Sequence, residues 1–162
     1  DFRHYIIPNG LVAALLIFGS GIVVLKNFYL NQPSLSSPSS FLGHYSLVFS
    51  WTKNIWLNHL SGTLLAGAVF AAIVYWSQEK GMGWGDVKLA AALGLLLGLP
   101  DIAVALAASF LIGGLVSLGL IFFRKKTLKS HLPFGPFLAL GAVAVFFFGS
   151  KLMAAYFSIF PK

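Results

Sequence analysis

The chain has 162 residues, 58% of them hydrophobic and 9% charged, with a formal net charge of +7. A water-soluble domain carries about 25% charged residues, so this composition, with a mean hydropathy of +0.87, excludes a soluble fold and makes lipid the solvent. Cysteine is absent, which excludes a disulfide scaffold, a Cys-ligated zinc site and a thiol nucleophile.

A helix needs about 20 mostly apolar residues to cross a bilayer. The first such run is Leu11 to Leu30, opened by Pro8-Asn9-Gly10, where Pro suits a first turn and Asn can cap. Asn31 to Ser40 is rich in Ser and Pro and reads as a loop. Phe41 to Trp51 is apolar but short, and is expected on the membrane surface. The second span is Trp56 to Trp76, ending in Ser77-Gln78-Glu79-Lys80. A third apolar run, Val87 to Leu99, covers only ~20 Å against a hydrocarbon core of ~30 Å. Pro100-Asp101 turns the chain into a fourth span, Ile102 to Phe123, stopped by Arg124-Lys125-Lys126. His131 to Pro136 leads into a fifth, Phe137 to Ser150, beyond which the tail Leu152 to Phe160 is also apolar. The predicted fold is all-α, a polytopic transmembrane bundle of about five spans in a single domain, 1–162.

Alternating these spans puts seven basic residues (Arg3, Lys80, Lys88, Arg124, Lys125, Lys126, Lys129) on one side and four (Lys26, Lys53, Lys151, Lys162) on the other. The richer side is cytoplasmic by the positive-inside rule. This accounts for the basic charge without nucleic acid, because the cations mark span ends and not one face. Asp1 and Asp86 then share the cytoplasmic side, and Asp101 lies opposite.

The acidic residues are only Asp1, Glu79, Asp86 and Asp101, and an ionisable group near membrane depth is a functional candidate. Asp86 ends the run Gly81-Met82-Gly83-Trp84-Gly85-Asp86. Gly81, Gly83 and Gly85 permit the tight turn that would seat its carboxylate in a wet notch just below the cytoplasmic surface. The plainer role for Asp86 is a helix N-cap before Val87. Asp101 reads as the cap of the fourth span, Glu79 as a solvated loop charge and Lys88 as an interfacial anchor. The four histidines (His4, His44, His59, His131) show no ligand spacing, so no metal is expected. Gly94-x3-Gly98 and Gly113-x3-Ser117 are small pairs suited to close helix packing.

Two carboxylates that share a site cannot both ionise cheaply. One can deprotonate a water while its protonated partner polarises a scissile carbonyl. That chemistry needs no metal, thiol or cofactor. The other use of membrane carboxylates is ion- or proton-coupled transport, in which broken helices line the path. Transporters of that kind carry inverted repeats, and none is visible here.

Four stretches resemble the type IV prepilin leader peptidases, membrane aspartyl proteases of the Gly-x-Gly-Asp type. They are Asp1-x6-Pro8-Asn9; Gly81 to Leu89 with Ala91-Ala92-Leu93-Gly94; Gly62 and Gly67; and Leu132-Pro133-Phe134-Gly135-Pro136-Phe137-Leu138-Ala139. The resemblance implies that Asp1 and Asp86 are the catalytic pair and that Lys88 belongs to the second motif. It implies prepilin and type II secretion pseudopilin leaders as substrates, cut at the cytoplasmic face of a bacterial inner membrane. Larger members also N-methylate the new terminus and carry paired Cys-x-x-Cys motifs, which have no counterpart in these residues, so methyl transfer is not expected of this chain. The loop from Asn31 to Asn54 is longer than the family leads one to expect. The chain opens at Asp1, so it is expected to be part of a longer protein and, in isolation, to lack the helix that delivers Asp1 and hence activity.

Overall fold

The computed structural model describes residues 9–30, 41, 54–78, 82–122 and 134–159. Five helices form from them: α1 (Asn9–Leu30), α2 (Ile55–Ser77), α3 (Trp84–Leu97), α4 (Asp101–Phe122) and α5 (Gly135–Ile159). No strand occurs among the described residues. Four of the helices, all but α3, are long and apolar enough to cross a membrane, so the chain is a multi-pass membrane protein. α3 has 14 residues, the short third run expected from the sequence. α5 runs on without a break to Ile159, so the apolar tail that follows Ser150 belongs to the fifth helix. Of the expected surface segment only Phe41 lies within the described residues.

Inside a bilayer every backbone and hydroxyl group must find an internal partner. Asn54 caps α2, its side-chain oxygen accepting the Trp56 N–H at 3.1 Å. The hydroxyls of Thr63, Ser109 and Ser117 donate to the carbonyls of His59, Ala105 and Gly113, four residues back on their own helices. Most outward side chains are large and apolar, as lipid requires: Phe18, Leu64, Leu111, Leu118 and Phe147 are all exposed. Trp56 at the start of α2 and Tyr75 and Trp76 at its end are exposed too, the places where amphipathic rings meet headgroups.

α3 is the hub, packing against all four long helices and most extensively on α2. Glycine makes that crossing close. A Cβ on Gly94 would sit 2.5 Å from the Gly62 carbonyl oxygen, and one on Gly62 would sit 2.9 Å from the Gly94 oxygen. Such small-residue contacts let helix backbones touch where lipid supplies no hydrophobic drive. The core between the helices holds Ala66, Phe70, Leu89, Leu93, Leu97, Ile102, Leu138 and Val145.

The far end of α3 gives His59 a role and revises the reading of Asp101. His59, unassigned in the sequence, is buried and its Nδ1–H donates to the Leu95 carbonyl at 2.7 Å. That carbonyl is one of the last of α3 and has no helical partner of its own. Gly98 follows at φ +77°, and a Cβ there would lie 3.1 Å from the His59 ring; the left-handed backbone and the imidazole both call for glycine. Asp101 begins α4 fully buried, and its carboxylate accepts the Phe41 N–H at 3.0 Å. The early N–H groups of α4 go to backbone instead: Ile102 to Gly98, Ala103 and Val104 to Pro100. Asp101 is therefore a tertiary tie, also within electrostatic reach of Lys26 on α1, where the sequence suggested a simple cap.

Candidate active site

The helix pairings fix the depth of Asp86. Gly62 faces Gly94 and Gly67 faces Ala91, which brings Asp86 level with Ala71 or Ala72 on α2. α2 continues to Ser77, about six residues or ~9 Å further at 1.5 Å per residue. On the other flank, Gly113 of α4 faces Phe134 and Phe137, and Gly141 of α5 faces Ala105 and Ser109. Gly135 is thus level with about Gly113, and α4 continues to Phe122, ~13 Å further. Asp86 and the start of α5 lie recessed between two longer helices. α1 runs alongside α3 in the same direction, Gly19 against Leu95 and Leu96, so its start at Asn9 and Gly10 is level with Asp86.

Asp86 is the third residue of α3, not its cap. The N-cap is Gly83, which has no side chain to offer. The Asp86 N–H donates to the Gly83 carbonyl at 3.1 Å. Its carboxylate turns back to the Gly83 backbone N–H, the reciprocal half of a capping box. The expected capping role is thus partly realised, from a different position. The same carboxylate also takes the backbone N–H of Gly135 at the start of α5. Burial pushes its pKa above the ordinary carboxylate range, while the two N–H donors pull it back. Burial that favours the protonated form, set against N–H donors that favour the charged one, is the setting in which a carboxyl serves acid–base catalysis.

The remaining predicted positions divide as follows. Gly83 and Gly85 flank Asp86 at the helix start, Gly83 exposed and Gly85 half-buried. Lys88 is exposed on the next turn of α3, in keeping with an anchor at the interface. Asp1 and Gly81 lie outside the described residues. The structure brings the Gly-x-Gly-Asp turn against the Phe134-Gly135-Pro136 turn. The sequence reads Pro133-Phe134-Gly135-Pro136 as a rigid re-entry turn near the site and leaves open whether it touches substrate. Among the described residues no cluster of His, Cys, Asp or Glu could hold a metal ion.

A helical membrane bundle with a carboxylate recessed at the end of a short central helix defines a class, multi-pass membrane proteins with a functional carboxyl, which includes both hydrolases and ion-coupled transporters. Comparison with known proteins narrows it. The type IV leader peptidase family matches residues 1–118, and the chain belongs to that family. It is 31% identical over 158 residues to a prepilin leader peptidase/N-methyltransferase of Xanthomonas campestris pv. campestris, covering 96% of this chain and 47% of that protein. A protein of the same name from Burkholderia pseudomallei is 35% identical over 159 residues, covering 88% and 48%. Leader peptidase HopD of Escherichia coli is 43% identical over 94 residues, covering 53% and 59%. The chain spans about half the length of the curated relatives it matches. No solved structure matches it. None of these relatives supports the transport reading.

Proposed function

We propose that the chain is the membrane-embedded aspartyl endopeptidase domain, 1–162, of a prepilin leader peptidase. Asp86 and Asp1 form its catalytic pair. The observation that carries this reading is the recessed Asp86 carboxylate, held by two backbone N–H groups in a chain of the leader peptidase family. The start of α1 level with Asp86 supports a role for Asp1, since eight extended residues reach up to ~28 Å. One carboxylate takes a proton from the attacking water and the other, protonated, polarises the scissile carbonyl; the roles exchange when the amine leaves. Gly83 caps α3 in extended backbone and Gly85 lies in its first turn, which leaves Asp86 at the recessed end of the helix, and Lys88 anchors that end at the interface.

The substrates would be the short basic leaders of type IV prepilins and type II secretion pseudopilins. The excess of Lys and Arg on the side of Asp86 supports a site facing the cytoplasm of a bacterial inner membrane. We assign no methyl transfer to this domain, because the cysteine motifs that accompany it in larger members are absent from these residues. The test is co-expression of the complete protein with a prepilin and measurement of product mass. Parent protein should remove the leader; Asp86→Asn and Asp1→Asn should insert normally and leave it on. Leader removal by either variant would refute the role given to that aspartate.

A further inference from the structure

The first turn of α5 has an unusual account of its backbone donors. A helix leaves its first N–H groups without internal acceptors. Here Pro136 has none to offer, and Phe137 and Leu138 donate to the Phe134 carbonyl at 3.0 and 3.1 Å. Gly135 is left, and its N–H goes to the Asp86 carboxylate, where the positive end of the helix also favours an anion. What fixes this turn in space is the Phe134 ring. Its centroid lies 5.0 Å from that of Phe110 on α4, 5.6 Å from Phe70 on α2 and 6.2 Å from Phe137 on α5. Gly113 makes room for it, since a Cβ there would lie 3.4 Å from Phe134 Cε2 and 3.4 Å from Phe137 Cγ. Phe70 is fully buried and, by the α2–α3 pairing, level with the first turn of α3.

We infer that Phe134 is a positioning residue for Asp86: locked between Phe70 and Phe110 against Gly113, it holds the Gly135 N–H on the Asp86 carboxylate. Phe134 touches no reacting atom. It sets whether Asp86 has one backbone donor, from its own helix, or two. The inference takes from the proposed function only that Asp86 is catalytic.

Carboxyl-13C aspartate labelling follows the titration by NMR, with the Asp86 signal assigned by its loss in Asp86→Asn. The complete protein in lipid nanodiscs is titrated. Loss of one hydrogen bond to a carboxylate moves its midpoint upward by about one pH unit. Phe134→Leu removes the ring, and Gly113→Val displaces it from the α4 side; each should show this shift, and the pair together no more than either alone. Phe134→Tyr keeps the ring and should titrate as the parent does. Val145→Ala opens a cavity elsewhere on α5 at a fully buried position and should lower the melting temperature without moving Asp86. A Phe134→Leu or Gly113→Val protein that inserts, loses stability as Val145→Ala does and leaves the midpoint unmoved would overturn the inference. Should Phe134→Leu fail to insert, Gly113→Val decides alone. Leader removal on the same proteins separates the two claims. A parent that titrates as described but cuts no leader refutes the peptidase reading alone, and one that cuts while the variants keep the parental midpoint refutes the role of Phe134 alone.

Discussion

Replacing Gly94 by alanine tests the closeness of the α2–α3 crossing that sets the depth of Asp86. The new Cβ would meet the Gly62 carbonyl oxygen at 2.5 Å and the Gly62 carbon and Thr63 Cα at 2.8 Å. Ordinary contact begins at 3.4 Å, so the helices must part by 0.9 Å, the difference of the two distances. All three atoms are backbone, and no rotamer change relieves them. Overpacking costs up to about 3 kcal/mol, while alanine returns about 1 kcal/mol of helix propensity, leaving a net loss of about 2 kcal/mol. For a domain of this size that lowers the melting temperature by roughly 4–8 °C. A shift of about 1 Å at α3 also carries Asp86 off its position and can cost ~100-fold in rate. Gly67→Ala is the control on the same face: its Cβ would lie 3.6 Å from the Ala91 Cβ, an ordinary contact, so only the propensity gain of up to about 1 kcal/mol is left. Both proteins are melted in the same detergent by tryptophan fluorescence. Equal or raised midpoints for Gly94→Ala would refute the crossing and the depth derived from it.

Three other expectations follow from the structure. Asp101→Asn leaves Lys26 facing a neutral group in a buried setting and should cost about 3 kcal/mol; adding Lys26→Met should recover part of that loss, and an additive double mutant in chemical denaturation would contradict the pairing. Because burial raises the Asp86 pKa above its unfolded value, the folded state binds more proton, and Asp86 favours folding below the unfolded pKa but less as pH rises through the folded one. Asp86→Asn should therefore melt higher than the parent at neutral pH and converge with it in acid; a gap independent of pH would contradict the burial. His59→Ala removes the donor to the Leu95 carbonyl and should lower stability by about 1–3 kcal/mol, read by denaturant titration, with no loss if water takes over the carbonyl.

The bundle was legible because lipid imposes a simple rule: long apolar runs must be helices. The shortness of α3 was visible as a run too brief to cross, and with it the recess around Asp86. Gly94 and Gly98 announced close packing through their spacing, while Gly62 was marked only by the family resemblance. The contacts of lone polar groups were not legible. His59 and Asp101 look like an isolated histidine and a cap in the sequence, since a hydrogen bond from Phe41 or to Leu95 leaves no periodic trace. Asp86 was placed one turn too early in its role: the helix starts at Trp84 because Gly83 can be its cap, so Asp86 falls inside the first turn and reaches back. The approach of Gly135 to Asp86 depends on how α5 packs against α3 through Phe134, a tertiary fact with no local signature.

The most direct test of the account is leader removal by the complete protein, compared among parent, Asp1→Asn, Asp86→Asn and the double variant at equal membrane content. Two carboxylates acting as one unit predict that each single change abolishes trimming and that the double is no worse than either. Trimming that survives Asp86→Asn, or losses that multiply in the double variant, would contradict the shared two-carboxylate mechanism.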